Sequence, residues 1–113
     1  MRILILDDQA GLADTLALSL RVAGHSAFGF TRPAEVLAAL QEDDILVTDY
    51  DMPEMTGLEV ARRAYAQGWR GSLLLMSGRL PSFLEEMLRR VDEIKRVPSR
   101  PVAVKTLCDR TKL

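Results

Sequence analysis

Apolar residues recur along this chain in two alternating forms, short unbroken runs and longer stretches spaced like one face of a helix. Ile3, Leu4, Ile5 and Leu6 make an unbroken run that stops at Asp7 and Asp8; Leu12, Leu16, Leu20 and Ala23 then follow at helical spacing up to Gly24. Such a run reads as a strand buried on both faces, and the helical period as a helix laid against it. Residues 26–30 form a weaker strand, and Thr31 can cap a helix with Pro33 in its first turn and Val36, Leu37 and Leu40 on its buried face. Ile45, Leu46 and Val47 are unbroken again. After a loop carrying Pro53 and Gly57, the helical period returns through Leu58, Ala61, Arg62 and Tyr65 to a stop near Gly68. Residues 72–76 make a fourth strand, ended by Ser77 and Gly78, and Phe83, Leu84, Met87, Leu88 and Val91 form the stripe of a fourth helix. Thr56-x-x-Glu59 and Ser82-x-x-Glu85 have the spacing of capping boxes that open the third and fourth helices. A short strand over residues 94–97 and a stub of helix from about Val102 complete the pattern.

Five alternating strand and helix units predict an α/β fold: a doubly wound, five-stranded parallel sheet with helices on both faces, each folded back by a right-handed crossover. Ligands of such sheets bind outside the carboxyl ends of the strands. The first, third and fourth strands end in Asp7-Asp8, Asp49 and Ser77, and Arg100-Pro101 follows the fifth. These polar positions are therefore expected at one rim, with Asp49 aimed at a ligand rather than at the core. Taken singly, each has a plainer reading, since an Asp at a strand end is often a turn former or a helix cap. The signal is their conjunction with the five-unit pattern.

Composition narrows the field. The 113 residues suit one domain, and a hydrophobic content of 48% suffices for one core. A net charge of -1 argues against a general nucleic-acid binder, although Arg89, Arg90, Lys95, Arg96, Arg100, Lys105, Arg110 and Lys112 make the tail locally basic. That tail reads as a solvated face or a partner surface. Cys108 is the single cysteine, which excludes an internal disulfide and argues against a thiolate metal cluster. Asp7 and Asp8 cut the N-terminal apolar run too short for a signal peptide or membrane span, so a cytoplasmic location is expected. His25, the sole histidine, follows Gly24 in a loop and is expected at the surface rather than as a ligand or phosphodonor.

Asp7-Asp8 after the first strand, Asp49 with Met52-Pro53 and Gly57, Ser77-Gly78 after the fourth strand and a basic residue before Pro101 together resemble the receiver domain of bacterial two-component response regulators. The resemblance spans essentially the whole chain. It implies a flavodoxin-like strand order 2-1-3-4-5 with, here, a shortened last helix, and residues 1–113 as a receiver domain with no output domain in this chain. It also implies phosphorelay signalling: a sensor histidine kinase, phosphotransfer protein or small phosphodonor phosphorylates Asp49, with Mg²⁺ as cofactor. By the same resemblance Asp7, Asp8 and Asp49 hold the metal together with the backbone carbonyl of Asp51, Ser77 meets the phosphoryl group, and Arg100 stands where the family has lysine. The Arg100-Pro101 bond is expected cis, and Asp51 and Arg79 match two positions that modulate water access to the site. Val97 stands at the switch position, where the family has an aromatic ring. The fourth helix, fifth strand and last helix are implied as the face for a downstream protein or a second copy of the chain, without contact to nucleic acid or membrane.

The chemistry of these residues agrees. Three carboxylates at one rim repel one another unless a hard divalent cation or a proton intervenes, and an all-oxygen set with room for water suits Mg²⁺. Attack of a carboxylate on phosphorus needs charge neutralised on the equatorial oxygens, which a metal, a hydroxyl and one cation can share. A rival reading is a haloacid-dehalogenase-like phosphatase with Asp49 as nucleophile and Asp51 as acid and base; the acidic pair Asp7-Asp8, lying ahead of the nucleophile, opposes it. A third is a receiver-like module that binds partners without phosphorylation. Arg100 and Val97 favour that reading, and the intact Asp7, Asp8 and Asp49 oppose it.

Overall fold

The computed structural model describes residues 2–76, 83–96 and 104–106. Strands β1 (Ile3–Leu6), β2 (Ala27–Phe30), β3 (Ile45–Asp49), β4 (Leu73–Met76) and β5 (Val104–Thr106) form one sheet in the order β2-β1-β3-β4-β5, every pair parallel. Helices α1 (Ala10–Val22), α2 (Pro33–Ala39), α3 (Gly57–Ala66) and α4 (Phe83–Arg96) alternate with the strands. The predicted α/β class and strand order are those observed.

The unbroken apolar runs are explained by the two faces they must serve. Alternate residues of a strand point to opposite sides. Ile3, Ile5, Ile45, Val47, Leu74 and Met76 pack with Leu16, Ala17 and Leu20 of α1 and with Met87 and Val91 of α4. Leu4, Leu6, Leu46, Leu73 and Leu75 pack on the other side with Val36 of α2 and with Val60, Ala61 and Ala64 of α3. β5 extends the sheet past β4 in the direction that β4 extends it past β3, while α4 shares its cluster with α1 rather than with α3. The crossover through α4 therefore has the opposite hand to that through α3, which is the uncommon hand for a parallel unit. The expectation of uniformly right-handed crossovers fails there, because the α4 stripe is seated on Leu74 and Met76 rather than on Leu73 and Leu75.

Helix ends follow local chemistry. Thr56 caps α3, its Oγ1 accepting from the Glu59 amide at 3.2 Å, as the capping-box spacing predicts. α2 departs from expectation: its N-cap is Arg32 rather than Thr31, with Pro33 supplying the preset φ of the first turn and no side-chain cap. α1 and α3 end alike. Gly24 (φ 96°) and Gly68 (φ 104°) take left-handed backbone, the amides of His25 and Trp69 bond back to Leu20 and Ala64, and those of the glycines to Arg21 and Tyr65. Both are Schellman ends, in which two otherwise orphaned carbonyls find donors.

Two expectations beyond β4 are corrected. Residues 94–96, expected to open the fifth strand, are the last turn of α4, and the strand lies at Val104–Thr106, where a stub of helix was expected from about Val102. In the sequence, Ile94 follows Val91 at the helical spacing of three, and a proline two residues past Arg96 disfavours a longer helix, which fits the end of α4 at Arg96. Val97 itself, and the Arg100-Pro101 bond expected to be cis, lie outside the described residues.

The amino end of the sheet is closed by a polar clasp. Arg2 donates from Nε and Nη2 to the two oxygens of buried Asp44 at 3.1 and 2.7 Å, and also from Nη2 to the Ala39 carbonyl. The Gln41 amide donates to the same carboxylate at 2.7 Å, and Trp69 Nε1 donates to the Asp44 carbonyl at 2.8 Å. The hydrogen bond to Asp44 raises the Arg2 pKa further above its ordinary value. Gly71 completes the corner: a β-carbon there would meet the Asp44 carbonyl oxygen and lie 2.6 Å from Trp69 Nε1.

Gly71→Ala is therefore expected to cost about 1–3 kcal/mol, since backbone rather than a side-chain tip must yield. Urea unfolding with an unchanged midpoint would refute that. Tyr65 stacks on Trp69 at 4.9 Å between centroids, and its buried hydroxyl has no partner among the described residues. Burial raises its pKa above 10.0, favouring the neutral phenol in the folded state. Its contribution to stability is thus intact below about pH 10 and lost as pH rises through the higher folded value. Tyr65→Phe should be neutral to stabilising at pH 7 and should flatten the alkaline fall in stability; parallel unfolding titrations at pH 7 and above pH 10 measure both.

Candidate functional site

Leu6 of β1 pairs with Thr48 of β3, so the next residues, Asp7 and Asp49, emerge side by side at the carboxyl rim. Asp8 follows directly. One carboxylate oxygen from each of Asp7, Asp8 and Asp49 lies within 4.8 Å of the others. Their exposure is graded: Asp7 is buried, Asp49 half-buried and Asp8 exposed. Asp7 is fixed from two sides, its amide donating to the Phe30 carbonyl at 3.1 Å and its Oδ1 accepting from the Gln9 amide at 2.9 Å as α1 begins. A small cleft of about 80 Å³ opens beside Asp8, walled by Thr31, Pro33, Met52, Pro53 and Glu54.

The loop after Asp49 is held by its backbone. Asp49 pairs with Met76, the Tyr50 amide donates to the Met76 carbonyl at 2.9 Å, and the Gly57 amide donates back to the Tyr50 carbonyl at 2.9 Å. Gly57 is required by contact rather than by φ. A β-carbon there would collide with the Asp49 carbonyl oxygen and lie 3.0 Å from Thr48 Cγ2 and 3.1 Å from Leu75 Cδ2. The loop 50–56 thus returns across the very peptide that carries the Asp49 side chain.

The three carboxylates that the sequence singles out are brought together. Asp51 is exposed in the following loop. Ser77, Arg79, Arg100 and Val97 lie outside the described residues; Met76, which precedes Ser77, is the strand partner of Asp49. Arg2 of the clasp just described went unremarked in the sequence; Lys105, read only as part of the basic tail, stands on β5 in register with Leu74.

A family model, the response regulator receiver domain, matches residues 3–97. The chain belongs to that family. A receiver domain is a phosphoacceptor signalling module, phosphorylated by histidine kinases, and the phosphatase reading falls away with that membership. Among relatives, the response regulator receiver protein CpdR of Brucella abortus is 40% identical over 65 residues, 56% of this chain and 54% of that protein. The response regulator MprA of Mycobacterium avium is 35% identical over 81 residues, 70% of this chain and 36% of MprA. The matches thus span about half and about a third of those proteins' own lengths. In fold, this receiver domain is similar to the response regulator TrrA of Thermotoga maritima, crystallised with Mg²⁺-BeF (TM-score 0.68, 21% identity, 82% of this chain and 97% of TrrA). It is similar also to the chemotaxis protein CheY4 of Vibrio cholerae (TM-score 0.62, 21% identity, 98% of this chain and 88% of CheY4). Among the described residues of this receiver domain no helix is long and apolar enough to cross a membrane.

Because Gly57 touches the Asp49 peptide itself, Gly57→Ala should cost about 1–3 kcal/mol and move the loop 50–56 rather than the sheet. Amide chemical shifts altered chiefly at residues 49–57 are expected; changes spread evenly over β1 and β2 would contradict that placement.

Proposed function

We propose that Asp49 of this receiver domain accepts a phosphoryl group from a histidine kinase, a phosphotransfer protein or a small acyl phosphate, in a reaction that requires Mg²⁺. The observation that carries the reading is the convergence of Asp7, Asp8 and Asp49 within 4.8 Å. The donor set fits a small hard cation: three carboxylate oxygens, no nitrogen or sulfur, and a cleft of about 80 Å³ beside Asp8 with volume for roughly two waters, which Mg²⁺ tends to retain. Asp7, Asp8 and Asp49, with the Asp51 carbonyl, would hold the ion, and when bound it supplies the positive charge that offsets the phosphoryl oxygens.

Asp49 stands at the end of a buried strand with Gly57 closed against its peptide; one of its carboxylate oxygens would form the new P–O bond as the bond to the donor breaks. Asp7, buried and tied to the Gln9 amide, is suited to orient rather than to react. Ser77, adjoining the strand partner of Asp49, would donate its hydroxyl to the phosphoryl group. For the remaining cation the chain offers Arg100, which precedes Pro101, and Lys105 on β5. Phosphorylation would then act on the segment after Met76, altering the α4 and β5 face offered to a downstream protein or a second copy. Val97, lacking a ring, would leave that response a modest shift of population. Asp51 and Arg79 would set the access of water and hence the lifetime of the phosphorylated state.

Intact-mass spectrometry with acetyl phosphate should show one added phosphoryl group on the wild type with Mg²⁺, and none without Mg²⁺ or in Asp49→Ala. Equal labelling of Asp49→Ala would remove the assignment. Of Arg100→Ala and Lys105→Ala, the variant that slows labelling identifies the cation.

A further inference from the structure

His25, expected at the surface, is the centre of a three-residue clasp between distant parts of the chain. Its side chain is only 11% exposed, its Nε2 lies 3.2 Å from Asp92 Oδ1, and its Nδ1 lies 3.0 Å from Lys95 Nζ. Asp92 and Lys95 stand three residues apart on α4, a spacing that puts both on one side of a helix. The ring is held from behind by the Schellman end of α1, where the His25 amide bonds to the Leu20 carbonyl beside Gly24 (φ 96°). A side chain on a fixed turn thus fills the gap between two groups on α4. Among the described residues, Asp92 and Lys95 are the charged groups seen in contact with His25.

The pairing constrains the role of each ring nitrogen. An ammonium group has donors and no acceptor, so Lys95 can bond Nδ1 only if that nitrogen carries no proton. The remaining ring proton is then on Nε2, directed at the Asp92 carboxylate. A second proton would convert Nδ1 to a donor, abolish the Lys95 bond and set two cations 3.0 Å apart. Asp92 is 53% exposed, so solvent screens its attraction for either cation.

We propose that His25, Asp92 and Lys95 form a proton-sensitive clasp that holds the carboxyl half of α4 against the α1–β2 turn when the ring is neutral and loosens when it is protonated. Histidine is the side-chain type suited to such a change between about pH 5 and 8. α4 is the next element after β4, whose Met76 pairs with Asp49, so the clasp sets how firmly the element following the acceptor's strand partner is docked.

The test is hydrogen exchange of the full chain, corrected for intrinsic rates, at pH 8 and pH 5.5. Protection of α4 amides should fall by about tenfold at the lower pH relative to β1 and β3 amides, the ratio expected for loss of one charge-assisted hydrogen bond. His25→Gln, whose amide can donate to Asp92 and accept from Lys95 without titrating, should keep α4 protected at both values. Lys95→Met should reverse the sign, because a protonated ring then gains Asp92 and loses nothing. Nitrogen chemical shifts of the ring at pH 8 should report the Nε2–H tautomer. An Nδ1–H tautomer, α4 protection that does not change with pH, or a Lys95→Met variant responding as the wild type does would each overturn the proposal.

Discussion

β1 and β3 pair with Leu6 opposite Thr48, and Asp7 and Asp49 meet only because of that register. A slip by one residue would separate the two carboxylates along the rim and turn each strand's side chains to the opposite face. Both strands are buried on both faces, so neither face tolerates the exchange. At the amino rim the same register is pinned by the Ile45 amide bonding the Arg2 carbonyl at 2.8 Å and by the fork of Arg2 on Asp44, each residue immediately ahead of its strand. The ion pair is worth little as a source of stability, because desolvating Asp44 offsets much of the attraction. Its geometric content is larger: a bidentate fork fits one alignment of the two strands and not its neighbours.

The two rims of the sheet are therefore built differently. At the amino rim polar groups satisfy one another, with Asp44 bonded by Arg2 and Gln41 and the indole of Trp69 closing on its carbonyl. At the carboxyl rim like charges are gathered in a space too small for them to ignore one another. Gathered carboxylates of this kind favour a nearby cation or a proton, which is the character of a site rather than of a core. The glycines follow the same division: Gly71 lets the Asp44 corner close, and Gly57 lets the loop 50–56 return across the Asp49 carbonyl.

Where sequence reading succeeded, the determining interaction was local or periodic. The runs at residues 3–6, 45–49 and 73–76, the helical stripes between them and the cap at Thr56 are all set within a few residues, and they suffice to place Asp7, Asp8 and Asp49 at one rim. Where it failed, the determinant was distant or ambiguous. Residues 94–96 contain too few apolar positions for a period of two to be told from the end of a period of 3.6, and the stop signal at Pro98 outweighs them. The burial of the His25 side chain depends on Asp92 and Lys95, more than half the chain away, and no pattern around Gly24 announces them. The seating of α4 on the α1 side was equally hidden, since its stripe of Met87, Leu88 and Val91 says that one face is buried and not against which surface.

β4 joins the two halves of the molecule, and its alternation does so within adjacent residues. Leu75 packs into the α2 and α3 cluster and lies against Gly57, while Met76 packs into the cluster containing Met87 and Val91 of α4 and pairs with Asp49 through the backbone. A displacement of the loop 50–56 at Gly57 must therefore press on Leu75, and a displacement of the β3 end must carry Met76 with it. Interiors packed at crystal-like density do not absorb such shifts smoothly; they pass them on or resist them. Two consecutive side chains of β4 thus touch the two clusters on opposite faces, one beside Gly57 and the other beside α4.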